Sequence, residues 1–218
     1  MLRYDQYVPS DARDGAPLFV LLHGRGSYKG DLMGLQPYLP ASALVVTPEA
    51  PFPAAPWGYG PGWAWYRLQE RGIPEPESFR ESQRALAEFL AELPARLPVR
   101  PGPVILGGFS QGGVMSLGYA LMHPGAVPMV INFSGFLPVH PDAAVTPVSV
   151  RGTRIFWGHG ERDPAIPYEL ALEGQKRLRA AGADLTACTY PMGHAISPEE
   201  LADMVTWVEQ GLSRAMAP

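Results

Sequence analysis

Six short apolar runs recur along this chain, and none of them alternates with polar residues: Pro17–Leu22, Ala43–Thr47, Pro103–Leu106, Val127–Phe133, Thr153–Trp157 and Leu185–Tyr190. A strand with one face in water alternates; an unbroken apolar run is a strand covered on both faces, as in a parallel sheet. Helical patterns fall between the later runs. One is expected from an N-cap at Ser78 to about Leu97, with Leu86, Phe89, Leu90, Leu93 and Leu97 on one face. Others span Gln111–His123, Tyr168–Ala181, and Pro198 to about Met216, the last capped by Ser197. Residues Arg3–Val8 alternate, which suits an edge strand. Strands alternating with helices predict βαβ units: a mostly parallel sheet with helices on both faces, forming one α/β domain over residues 1–218. Between Pro48 and Pro76 the chain is irregular, with three Trp and many Pro and Gly. So long a segment is expected to be functional or locally ordered.

Composition narrows the function classes. The 21 acidic residues outnumber the 17 basic ones, so no nucleic-acid partner is expected. The longest apolar stretches fall well short of a membrane span. Residues Met1–Ser10 lack a signal peptide's apolar region, which makes a cytoplasmic protein the default expectation. The single Cys188 excludes an internal disulfide. No group of His, Cys and carboxylates has metal-ligand spacing, so neither metal nor cofactor is expected.

In open α/β sheets, ligands bind beyond the carboxyl ends of the strands, so the polar residues just after each strand matter most. Val104–Leu106 runs into Gly107-Gly108-Phe109-Ser110-Gln111-Gly112-Gly113, which contains G-x-S-x-G between a strand and a helix. A nucleophilic serine there needs a sharp turn, and glycines two residues either side remove collisions with neighbouring backbone. The competing readings are a tightly packed structural turn or a phosphate loop; no P-loop lysine is present. The early strand ends in His23-Gly24-Arg25-Gly26. Its bent backbone can offer the Arg25 amide to a developing oxyanion, with the Gln111 amide as second donor. An ordinary glycine turn with a packed His23 is the alternative.

His194 follows the last strand, and Asp163 follows Thr153–Trp157 by a short loop. His159 also follows a strand but precedes the acid. Asp184 falls at the opposite end of the sheet. The chain order Ser110, Asp163, His194 is the order of the α/β-hydrolase triad. Imidazole suits the base, and serine needs one at neutral pH.

Together these pieces resemble the phospholipase/carboxylesterase family of small α/β-hydrolases, which includes the acyl-protein thioesterases. The matching segments are Leu22–Gly26, Gly108–Gly113, Gly158-His159-Gly160 with Asp163 and Ile166-Pro167, and Gly193-His194. The resemblance implies Ser110 as nucleophile, Asp163 and His194 as its partners, Arg25 and Gln111 amides as oxyanion donors, and no inserted cap domain. Two departures stand out. Arg25 replaces a residue that is usually hydrophobic in the thioesterases, and Arg67 replaces the acid of a Trp-aromatic-Asp motif at Trp65-Tyr66-Arg67. Both weaken any transfer of long-chain or protein-acyl specificity. Trp63, Trp65 and Tyr66 either wall a substrate pocket or pack the irregular segment onto the body. The resulting expectation is a serine carboxylesterase for small, uncharged, short- to medium-chain esters. A thioesterase or lysophospholipase, or a silent hydrolase-fold binding protein, are the alternatives. The oligomeric state is left open, a homodimer included.

Overall fold

The computed structural model describes residues 1–70 and 72–215. Its strands are β1 (Tyr4–Tyr7), β2 (Leu18–Leu22), β3 (Leu44–Pro48), β4 (Phe52–Pro53), β5 (Trp63–Ala64), β6 (Leu68–Glu70), β7 (Ile73–Pro74), β8 (Val104–Phe109), β9 (Met129–Phe133), β10 (Arg154–Gly160) and β11 (Asp184–Tyr190). Its α-helices are α1 (Pro76–Glu92), α2 (Gln111–Met122), α3 (Tyr168–Ala180) and α4 (Pro198–Ala215).

Seven strands form one sheet in the order β1-β3-β2-β8-β9-β10-β11. β1 pairs antiparallel with β3 at the edge, and all other neighbours are parallel. This is the α/β-hydrolase architecture. The unbroken apolar runs are explained by burial on both sides. Leu18, Val20 and Leu22 share one cluster with Phe79, Phe89, Met115 and Leu178, which α1, α2 and α3 contribute. Phe19 and Leu21 face the other way, toward Leu201, Met204, Trp207 and Val208 of α4 and Leu32 of a 3-10 turn at Asp31–Tyr38.

Two strands run further than their apolar residues suggest. β8 continues through Gly107 and Gly108 to Phe109, and β10 continues through Gly158-His159-Gly160. Both extensions carry the sheet toward the candidate site. Ser78 is not the N-cap of α1. Glu75 is, accepting from the amides of Glu77 and Ser78, with Pro76 as the first helical residue. Ser78 is buried and donates to the Glu75 carboxylate. α1 ends at Glu92, and a 3-10 turn carries the chain on to Arg96. Ser197 accepts from the Glu200 amide at the start of α4; that helix's expected end at Met216 lies outside the described residues. No helix among the described residues is long and apolar enough to cross a membrane.

The irregular segment is locally ordered. It holds two small ribbons, β4–β5 and β6–β7, and is fastened from beneath. Trp65 is fully buried and donates through Nε1 to the His23 carbonyl at 2.9 Å. The Gln111 side chain clamps the next turn, accepting from Trp65 N at 3.0 Å and donating to the Tyr66 carbonyl at 2.8 Å.

Candidate active site

Ser110 sits between β8 and α2 with φ 54° and ψ −116°, a left-handed conformation that a non-glycine residue adopts at a cost of about 1–3 kcal/mol. Hydrogen bonds hold it there: its amide donates to the Phe133 carbonyl at 2.8 Å, and its carbonyl accepts from Val114 at 3.1 Å. The flanking glycines are required by contact. A Cβ at Gly112 would overlap the Leu22 carbonyl. One at Gly108 would overlap Gly112, and one at Gly113 would overlap the Asn132 side chain. The strained turn is thus wedged between β2, β9 and the first turn of α2.

The acid and base come from the adjacent edge. Asp163, buried after β10, accepts from the amides of Ala165 and Ile166 through Oδ1, both at 2.8 Å. Its Oδ2 lies 2.7 Å from His194 Nδ1. A carboxylate only accepts, so Nδ1 carries the proton and the lone pair of Nε2 is left for a base. The β10 and β11 loops are laced together: Glu161 N donates to the Tyr190 carbonyl and Arg162 N to the Met192 carbonyl. The His194 ring packs on Phe109, the neighbour of Ser110, with centroids 4.7 Å apart. Ser110 and His194 line one cavity of about 300 Å³. Among the described residues the Ser110 hydroxyl has no hydrogen-bond partner.

A second imidazole backs the acid. His159 is fully buried, with Nε2 3.0 Å from the Ile166 carbonyl and 3.6 Å from Asp163 Oδ2. Burial lowers its pKa, so a neutral ring stands beside the carboxylate. The sequence holds a signal for it in Gly158-His159-Gly160, but no role followed from position alone. On the opposite face of β10, the Glu200 carboxyl lies against Gly158, fully buried and without a hydrogen-bond partner among the described residues. Burial pushes its pKa up to about 8.

Arg25 and Gln111 border the same cavity. Gln111 is the first residue of α2, where an amide has no helical acceptor and the helix end carries partial positive charge. Gly26, at φ 75°, turns the Arg25 loop under Tyr59, whose carbonyl a Cβ there would strike. His23 is structural. Nδ1 lies 2.7 Å from the Gly24 carbonyl, Nε2 accepts from Ala50 N at 3.1 Å, and burial lowers its pKa.

Of the three aromatic residues expected at the pocket, the cavity gathers only Tyr66. Trp65 is buried beneath, where its indole N–H finds an acceptor. Trp63 lies elsewhere on the segment, under the Arg3 guanidinium. The apolar wall is instead Leu68, Phe136, Ile166 and Leu170. Of these only Ile166 stands in a segment that carries the family resemblance, Ile166-Pro167, and no local pattern marks the other three.

The sequence profile of the phospholipase/carboxylesterase family matches residues 5–211. Acyl-protein thioesterase 1 of Candida albicans is 27% identical over 220 residues, covering 93% of this chain and 95% of the relative. A probable carboxylesterase of Oryza sativa subsp. japonica is 30% identical over 158 residues, 68% of this chain and 58% of the relative. Among solved structures, esterase PE8 superposes with a TM-score of 0.80 at 27% identity, covering 96% of this chain and 98% of that one. The Bacillus cereus carboxylesterase gives 0.81 at 20% identity, with 97% and 95% covered, a likeness of fold.

Proposed function

This chain belongs to the phospholipase/carboxylesterase family of serine hydrolases, and we propose that it is a carboxylesterase for small, short- to medium-chain esters. The observation that carries the reading is the Asp163–His194 hydrogen bond of 2.7 Å at the wall of the cavity that Ser110 also lines. In this reading His194 Nε2 takes the Ser110 proton as Oγ attacks the ester carbon. Asp163 keeps Nδ1 protonated and stabilises the imidazolium that forms. The Arg25 and Gln111 amides hold the oxyanion. His194 then protonates the departing alcohol, and water, deprotonated by the same imidazole, releases the acid from Ser110. The cavity holds a few carbons beside the apolar wall, which supports short acyl groups. The reading takes residues 1–218 as one domain and assigns no step to a cofactor.

An acyl-thioesterase or lysophospholipase activity is the second reading, favoured by the acyl-protein thioesterase relative. A panel of esters graded by chain length, matched thioesters and lysolipids separates the two. Labelling by a fluorophosphonate probe tests both against a silent binding protein, because it requires an activated serine. Esters turned over fastest, with the label on Ser110, is the expected result. An unlabelled Ser110 in folded protein overturns the catalytic reading.

A further inference from the structure

We infer that Arg25 and Tyr66 form a polar anchor that selects esters carrying a second, anionic carboxylate. This deepens the esterase reading, rests on it, and replaces the uncharged ester expected from sequence.

Three observations point to the anchor. The first is the division of the cavity. Leu68, Phe136, Ile166 and Leu170 make an apolar wall, whereas Arg25 and Tyr66, the residues with free donors, border the same space as Ser110. The second is that neither donor is used internally. No ion pair or side-chain hydrogen bond among the described residues involves the Arg25 guanidinium. The Tyr66 hydroxyl is buried without a partner. A buried hydroxyl is ordinarily satisfied, so one left unpaired on a residue of the cavity wall marks a place for an acceptor. The third is that the cation is held in place. The Arg25 guanidinium stacks over the Tyr59 ring at 4.6 Å, which fixes the charge while leaving N–H edges open. The acid on this lining, Asp31, takes the Ser27 hydroxyl at 2.7 Å.

Two donors, one of them cationic, call for an acceptor-rich anionic group, and a planar carboxylate matches guanidinium geometry. The Arg25 charge is close enough to bear on the Tyr66 hydroxyl, which burial keeps protonated and therefore a donor. A neutral chain of equal length would leave the buried Tyr66 hydroxyl unmet and forgo the charge of the exposed Arg25, so discrimination arises from an unmet hydrogen bond as well as from attraction.

The test is a pH-stat comparison at low ionic strength of two matched substrate pairs. Monomethyl adipate against methyl hexanoate puts the charge on the acyl side. 4-Acetoxybenzoate against phenyl acetate puts it on the alcohol side. The quantity read is the anionic-to-neutral ratio of kcat/KM, in which any common loss cancels. Arg25→Gln and Tyr66→Phe are each expected to lower that ratio about tenfold for one pair, chiefly through KM. Arg25→Lys is expected to fall between them and the wild type. Added salt should lower the wild-type ratio. Ratios unchanged within about twofold for both pairs in both variants overturn the anchor while leaving the esterase reading intact. Turnover of neither substrate class by the wild type removes both readings.

Discussion

The two sides of the cavity are built differently. The loops after β8, β10 and β11 that carry Ser110, Asp163 and His194 are short, and main-chain hydrogen bonds fix them at nearly every turn. The segment from Pro48 to Pro76, opposite, is longer and tied down at a few points: Gly26 N donates to the Trp63 carbonyl and Trp63 N to the Ser27 carbonyl, and side chains add Trp65 on the His23 carbonyl, Gln111 on residues 65 and 66, and Tyr59 under Arg25. The proposed chemistry demands fixed distances, and short, closely bonded loops supply them. Recognition tolerates exchange, and a longer segment tied down at a few points allows it.

The contrast breaks most visibly if the first side tolerates substitution. Ser110→Ala is expected to lower kcat by about 10⁵–10⁶-fold in steady-state ester hydrolysis, with an unchanged circular dichroism spectrum. Asp163→Asn follows at about 10⁴-fold, because an amide can donate to Nδ1 and so stabilise the wrong imidazole tautomer. Gly112→Ala forces a methyl group into the Leu22 carbonyl and should cost about 3 kcal/mol or more in denaturant titration.

Glu200 sharpens the comparison from behind the reacting edge. Its pKa rises from 4.5 to about 8 on folding, so the folded chain holds a proton that the unfolded chain releases. The stability this group contributes is full below the lower value and is lost as pH climbs toward the upper one. Glu200→Gln should therefore gain about 3 kcal/mol at pH 7 and nothing at pH 4. A Tm difference between variant and wild type that does not widen with pH would refute this. The smallest effect belongs to the recognition side. At Gly60 an added Cβ meets no atom within 4 Å, and only φ 82° resists it, so Gly60→Ala should cost about 1 kcal/mol with little change in kcat.

The side that carries the proposed triad was the more legible in sequence. G-x-S-x-G, Asp163 and His194 each stand just beyond an apolar strand, where topology puts them on one rim. The apolar runs likewise marked the sheet, since covering both faces leaves no room for polar alternation. What escaped depends on distant partners. Ser78 has the residue type of a cap, yet Glu75 captures the amides because Pro76 starts the helix earlier. Trp63 and Trp65 look like pocket walls until Arg3 and His23 claim them. Leu68, Phe136, Ile166 and Leu170 meet only after the chain closes, and the neighbour that gives His159 its place, Ile166, lies seven residues on.

Gln111 grips the recognition segment by the amide of residue 65 and the carbonyl of residue 66, and both are groups that any amino acid except proline provides. The attachment therefore reads no side chain at those two positions. Substrate range can drift by exchanging residues on either side of that pin while the floor of the reacting centre stays put. A transplanted segment from another esterase should seat itself where it keeps the same two-residue reach to the start of α2, the indole that meets the His23 carbonyl and the backbone pairing of residues 63 and 27.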